Sequence, residues 1–264
     1  MSCVTLLSDF GLNDPSVAVA KAIIGAHVPG KSIVDISHSL EPSLTHQAAY
    51  FLLSSYKAFP QGCCHVVMFN VFSERNPRLL LCEHEGHFFL APDNGVLSLA
   101  FGENLEKVWL VYTLEDALGF KDWLEEVGKI LAQLQTKTPS DLGLESTTLV
   151  TAPKKWLPVE IGNSVECHVI HIDRFKNVVA SLTQQEFERI RAGRDFEITF
   201  SRTESVTKLS THYSSVPNGE KLCRFNSSGF LEICINGTGA SELFGLKLFQ
   251  KESVIYNTIK IEFS

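Results

Sequence analysis

Over the first half of the chain, short apolar runs ending in turn-forming residues alternate with longer segments whose apolar positions recur every three to four residues. Residues 4–7 are apolar or β-branched and run into Ser8, Asp9 and Gly11, the pattern of a buried strand that ends in a polar loop. Asp14-Pro15 then reads as a helix cap followed by a first-turn proline, with Val17, Ala20, Ile23 and Ile24 on one face and Pro29-Gly30 as the stop. A second strand is expected over 32–36, ending in Asp35-Ile36-Ser37-His38. A second helix follows over 45–56, with Ala48, Ala49, Leu52 and Leu53 as its buried stripe. Residues 65–69 predict a third strand ending at Asn70, and 79–82 with 87–91 a hairpin. Pro92-Asp93-Asn94-Gly95 predicts a turn, 108–112 a further strand, and 120–135 an amphipathic helix carrying Phe120, Leu124, Val127, Leu131 and Leu134 on one side. Strands that alternate with helices imply an α/β domain, three layers with the sheet flanked by helices.

From Thr136 to Pro158 the periodicity is lost, and the linker is placed at 146–158, between a first domain at 1–145 and a second at 159–264. Strands are expected at 165–172, 178–182, 196–200, 221–225, 230–235 and 253–263, separated by clusters such as Pro217-Asn218-Gly219, with one helix at 184–191. Short strands with regular turns predict a small all-β, barrel-like domain.

Composition narrows the function. At a net charge of −7 over 264 residues the chain is a poor match for nucleic acid or an anionic membrane. Asp9 and Asp14 interrupt any leader-like apolar stretch and no run reaches membrane-spanning length, so a soluble cytoplasmic protein is expected. Seven cysteines, an odd number with no CxxC pair, predict reduced thiols that mostly fill the core. Asp9, Asp35 and His38 show no metal-ligand spacing, and no metal is expected.

Asp9 is the first candidate for chemistry. A carboxylate delivered by a buried strand to the sheet rim can accept two hydrogen bonds side by side, which suits the vicinal diol of a ribose. Taken alone, it fits a turn or helix cap equally well.

Six motifs occur in order along the chain: Thr5-Leu6-Leu7-Ser8-Asp9-Phe10-Gly11, Val34-Asp35-Ile36-Ser37-His38, Pro92-Asp93-Asn94-Gly95, Ile172-Asp173-Arg174-Phe175-Lys176-Asn177, Asn226-Ser227-Ser228-Gly229 and Ile235-Asn236. Over nearly the whole chain they resemble the S-adenosyl-L-methionine (SAM) hydroxide adenosyltransferases, the SAM hydrolases, which are relatives of fluorinase and chlorinase. The resemblance implies an α/β domain followed by a β-barrel-like domain. It further implies a homotrimer in which one subunit's first domain and a neighbour's second domain share the ligand. The reaction implied is attack of water or hydroxide at the ribose C5′ of SAM, giving adenosine and methionine, with SAM as substrate and no cofactor. By the same resemblance Asp9 holds the ribose diol, Asp173 the methionine ammonium, Asn177 the adenine edge, and Ser227 and Ser228 the methionine carboxylate.

The departures fall where the family activates water. Asn70 stands in place of the family's Asp and cannot accept a proton at neutral pH. Arg75 matches the family's Arg, with Arg78 as the alternative register. Gly119 stands in place of the family's His, Ser43 in place of an aromatic, and Lys176 in place of a Gly. His38 and Glu74 are close enough in sequence to substitute as a base. Three functions stay open at this level: a divergent SAM hydrolase, a protein that binds SAM or adenosine without turnover, and a halogenase-type enzyme.

Overall fold

Every residue of Val4–Ser8 (β1) is buried, and its neighbours alternate strictly in what they touch: Val4 and Leu6 join one apolar cluster, Leu7 the other. Such two-sided burial requires helices on both faces of the sheet. The computed structural model describes all residues except 43, 103–104, 106, 115–118, 152–156, 202–203 and 249–257. It divides into two compact units, Met1–Ala152 and Pro153–Ser264.

In the first unit β1 is followed by α1 (Ser16–His27), β2 (Ile33–Ser37), α2 (Thr45–Ser55), β3 (Cys64–Met68), the hairpin β4 (Arg78–His84) and β5 (His87–Pro92), α3 (Val96–Phe101), β6 (Lys107–Thr113), α4 (Phe120–Gln133) and β7 (Glu145–Ser146). The strand order is β2-β1-β3-β5-β4-β6-β7. Pairing is parallel from β2 through β1 and β3 to β5, and antiparallel beyond. Val4, Leu6, Val66, Leu79 and Leu81 pack with α1 and α4, while Leu7, Val67, Leu80 and Cys82 pack with α2 and α3. The two-residue period of the strands thus feeds two cores at once.

The second unit carries β8 (Val159–Ile161), β9 (Ser164–Ile172), β10 (Val178–Thr183), α5 (Gln184–Arg191), β11 (Phe196–Ser201), β12 (Glu204–Val206), β13 (Lys221–Phe225), β14 (Phe230–Ile235), α6 (Ala240–Phe244) and β15 (Thr258–Phe263). Its antiparallel sheet runs β12-β11-β15-β9-β10-β14-β13, with β8 added at β9. The two ends approach each other: Lys221 Nζ lies 2.5 Å from Glu204 Oε2, and Leu209 bridges to Cys223. The sheet is therefore nearly closed and barrel-like. Phe187 of α5 plugs it, packing on Phe196, Phe225 and Phe263 at 5.1, 5.4 and 5.8 Å between ring centres.

Two expectations need amendment. Cys3 and Cys63 are joined by a disulfide rather than being free thiols, with Cα atoms 4.7 Å apart. The cause is register: Val4 pairs with Cys64 across two parallel strands, so the residues just before them meet. The other five cysteines are free and buried, as core fillers should be. The segment 146–150, assigned to the linker, is instead tied to the first unit: Ser146 pairs with Trp109, and the Val150 N–H donates to Asp93 Oδ1 at 2.7 Å. The strand expected over 253–263 begins at Thr258 among the described residues, 253–257 lying outside them. Among the described residues no helix is long and apolar enough to cross a membrane.

A polar column runs through the core of the first unit. His65, wholly buried on β3, lies 2.8 Å from Thr5 Oγ1 and 3.2 Å from His87 Nδ1. Burial, with the neighbouring His87 adding to it, lowers the His65 pKa from 6.5 to about 3. The folded state therefore binds fewer protons than the unfolded chain below pH 6.5. Stability is complete above that pH and is lost as pH falls from 6.5 towards about 3. Between pH 7 and pH 5 the loss is expected to be about 2 kcal/mol. Urea unfolding midpoints at the two pH values measure it, and His65→Gln should flatten the dependence; an equally steep fall in the variant would assign the proton elsewhere.

Candidate functional site

Parallel pairing with β2 on one side and β3 on the other makes β1 the switch point of the first sheet, and ligands of open α/β sheets sit outside the carboxyl ends of strands at that point. The loops that follow β1, β2, β3 and β5 all emerge at this rim. Asp9 stands at the end of β1, half-buried, and its Oδ2 accepts the Asn70 main-chain N–H from the end of β3 at 3.1 Å. Burial raises the Asp9 pKa above the ordinary carboxylate value, against the lowering effect of the N–H groups of Asn70 and of Asp9 itself. Asn70 holds a left-handed φ of 45°, a conformation asparagine tolerates better than most residues. Asn94 secures it by donating from Nδ2 to the Phe69 and Asn70 carbonyls at 2.8 and 3.4 Å, which gives the Pro92-Asp93-Asn94-Gly95 turn a supporting role.

Arg75, in the β3–β4 loop, and Arg78, the first residue of β4, separate clearly. Arg78 donates to Asp93 Oδ2 at 2.7 Å and to Thr147 Oγ1 at 2.5 Å, so it ties β4 to the end of the unit. Arg75 is exposed on the loop that begins with Asn70, as is Glu74. Gly119 sits just before α4 with its N–H donated to Asp122 Oδ2 at 2.8 Å and offers no side chain. Ser43 lies outside the described residues.

In the second unit the turn between β9 and β10 brings Asp173 and Asn177 together. Asp173 Oδ1 accepts the Asn177 main-chain N–H at 2.8 Å, and its Oδ2 accepts Asn177 Nδ2 at 3.0 Å. With one amide proton engaged in this way, the Asn177 carbonyl oxygen is the part suited to reading a donor on a ligand. Asn177 lines a cavity of about 510 Å³ together with Phe175, Tyr213, Ile235, Thr238 and the backbone of Gly237 and Gly239. Tyr213 donates to Glu232 Oε2 at 3.1 Å, and the Arg224 guanidinium stacks on its ring at 4.7 Å. Burial, with the charge of Glu232 behind it, pushes the Tyr213 hydroxyl up to about 12, and burial also raises Glu232. The cavity is a mostly apolar slot with one fixed amide, a composition suited to a flat heteroaromatic ring.

Ser227 and Ser228 are not part of this cluster. They form the β13–β14 turn, where Asn226 Oδ1 accepts the N–H groups of Ser228 and Phe230 at 3.0 and 3.1 Å. Because Thr183 pairs with Phe230 and Val178 with Ile233, this turn lies at the opposite end of β10 from Asn177. The separation along the strands is about 20 Å. Tyr213, Glu232 and Gly239 are the lining and support residues that sequence reasoning missed. Tyr213 lies in an aperiodic stretch, and the role of Gly239 depends on tertiary approach.

The chain thus pairs an α/β unit that has a carboxylate at its switch point with a nearly closed β unit that has an aromatic slot and a fixed amide. Residues 4–133 match the model of the SAM hydroxide adenosyltransferase N-terminal domain and residues 167–252 that of the C-terminal domain. The chain belongs to the SAM hydroxide adenosyltransferase family. It is 28% identical over 262 residues to a (R)-S-adenosyl-L-methionine hydrolase of Thermus thermophilus, covering 94% of this chain and 97% of that one. A protein of the same name from Methanocaldococcus jannaschii is 24% identical, with 97% of each chain covered. The crystal structure of an uncharacterized conserved protein from Thermotoga maritima superposes with a TM-score of 0.80 at 23% identity, covering 98% of this chain and 99% of the other.

Lys176 marks a local strain in the slot. It takes a left-handed φ of 66° between Phe175 and Asn177, and a Cβ on Gly239 would stand 2.7 Å from its own Cβ. Its ion pair with Glu242, 3.5 Å long and between exposed side chains, adds little. Lys176→Gly is expected to leave stability unchanged or raise it by up to about 1 kcal/mol. Gly239→Ala should destabilise by about 1–3 kcal/mol in the parent and less in the Lys176→Gly background. Chemical denaturation of the four proteins reads both effects, and equal penalties in the two backgrounds would dismiss the clash.

Proposed function

We propose that this protein hydrolyses SAM to adenosine and L-methionine, in keeping with the name its full-length relatives carry. The observation that supports this most directly is the Asp9 carboxylate at the switch point, fixed by the Asn70 N–H and shaped to accept a ribose diol. The Asn177 amide and its aromatic slot supply recognition of the purine. Asp173 faces the methionine ammonium while it holds Asn177 in place. The two half-sites act on one ligand through a homotrimer, the first unit of one copy serving with the second unit of its neighbour.

In the reaction a water oxygen forms the new bond to C5′ as the C5′–S bond breaks. The electron pair of that bond stays on sulfur, which leaves as the neutral thioether of methionine, and the water's second proton passes to solvent. A sulfonium leaves without acid assistance, so the protein's task is alignment, exclusion of bulk water and orientation of one oxygen. Asn70 orients this water without taking its proton, and Arg75 lends positive charge from the same loop. Ser227 and Ser228 serve the hairpin turn at the opposite end of β10 from Asn177, and the methionine carboxylate is left to other groups.

Incubation with SAM, followed by chromatography for adenosine and methionine, tests the reading. Product above the rate in buffer is the expected result. Binding without product would make the protein a SAM or adenosine receptor instead. Asp9→Asn is expected to lower kcat/KM about 10- to 100-fold, because a charged acceptor is lost to the diol. Since burial raises the Asp9 pKa, affinity should begin to fall at a higher pH than an ordinary carboxylate would dictate, and that acid limb should vanish in Asp9→Asn. Asn70→Asp keeps a residue that accepts the left-handed backbone and restores a base. A rise in kcat on the order of 10²-fold is expected, and an unchanged kcat would remove proton transfer at this position from the mechanism.

A further inference from the structure

The carboxyl end of β1 carries a row of polar groups, buried at Ser8 and His38 and reaching the surface at Asp35 and Lys21, that the reaction does not touch. Ser8, wholly buried, has its Oγ 2.7 Å from His38 Nδ1. His38, 4% exposed, has its Nε2 3.1 Å from Asp35 Oδ1, and Lys21 donates to Asp35 Oδ2 at 2.6 Å. The Phe10 N–H is directed at the Ser8 oxygen at 3.5 Å, and His38 Nε2 lies beside the Asp35 carboxylate. Burial alone would raise the Asp35 pKa, yet the hydrogen bonds and charges of Lys21 and His38 bring it below the ordinary value, and the chain keeps its anionic end.

The main chain repeats the connection. The Gly11 N–H donates to the His38 carbonyl at 2.6 Å, and the Leu40 N–H to the Ser8 carbonyl at 3.5 Å. Ser8 and Gly11 are thus both fastened to the β2–α2 loop, and Asp9 lies between them. From the other side Asp9 is met by the Asn70 N–H. A half-buried carboxylate with a raised pKa needs such external fixing, because its own hydrogen bonds do not fully compensate the loss of water.

We propose that His38 is a positioning residue for Asp9: it clamps residues 8–11 through Ser8 with its side chain and through Gly11 with its main chain, and so fixes the carboxylate that grips the ligand. The ligand readout rests on the nucleoside reading above, whereas the structural readout does not. A Ser-His-Asp row invites comparison with a nucleophilic triad, but a serine with no solvent exposure cannot attack a substrate, and the row works as a brace.

The test uses Ser8→Ala, His38→Asn and the double variant of the full chain. Adenosine binding is measured by calorimetry, and amide hydrogen exchange is measured without ligand. Each single change should raise the Kd for adenosine about tenfold, and the double variant should be little worse than the poorer single, as expected for one linked unit. Gly11 and Asn70 amides should exchange about tenfold faster, while the amides of Leu6 and Val66 in the sheet centre hold their parent rates. Additive losses in affinity, uniform acceleration across the sheet, or unchanged Gly11 exchange would each overturn the clamp. Should the parent protein fail to bind adenosine while the local exchange effect is present, the clamp stands and the nucleoside reading falls. If the double variant does not fold, Ser8→Ala alone carries the exchange comparison.

Discussion

Parallel pairing of β1 between β2 and β3 is the constraint from which the rest of the first unit follows. A central parallel strand must be apolar on both faces, which requires helices above and below and brings the loops that follow β1, β2, β3 and β5 to the same rim. As a consequence the polar side chains Thr5 and Ser8 are carried into a dry interior. Each has found an imidazole: Thr5 meets His65 within the sheet, and Ser8 meets His38 at the rim. The same pairing that buries these hydroxyls brings the ends of β1 and β3 close enough for Asp9 to accept the Asn70 N–H. At the opposite end it sets Cys3 beside Cys63.

Elements with many periodic positions were legible without coordinates. α1, α2, α4 and α5 and the longer strands lie within a residue or two of where the hydrophobic pattern places them, because their burial is decided by spacing that a linear reading retains. The short elements escaped. β7, β8 and β12 have two or three residues each, and α3 and α6 no more than six, too few to establish a period; each exists because a neighbouring edge or loop offers it a partner. The Cys3–Cys63 pairing was equally hidden, since it depends on the register between two strands some sixty residues apart.

The candidate site was legible in its rim and less so in its walls. Asp9 and Asn70 follow strands, and Asp173 and Asn177 flank a hairpin turn, so motif and position agree. Ser227 and Ser228 belong to a motif of equal clarity, yet antiparallel pairing of β10 with β14 carries them to the far end of the unit. Motif order along a chain records descent, whereas proximity in a β unit depends on which end of a strand each turn occupies. Tyr213 lines the slot from a stretch without periodicity, and its orientation is owed to Glu232 and Arg224 on two different strands.

What the chain keeps and what it lacks can be ordered by physical demand. The groups proposed to hold the ligand are each fixed twice: Asp9 by the Asn70 N–H and by the flanking Ser8 and Gly11 contacts, Asn177 through both its main-chain and side-chain nitrogens. The positions where the resemblance expects water-activating side chains hold an amide, Asn70, and a glycine, Gly119, whose N–H is bound to Asp122 at the start of α4. For a substrate whose leaving group is neutral on departure, rigid alignment can supply more of the barrier reduction than a general base, roughly 7–11 kcal/mol against about 3–5. A site that retains its grip and loses its base therefore keeps most of its catalytic advantage. On the proposed reading, water at C5′ reacts by being placed there, with its proton released after the carbon–sulfur bond has begun to break.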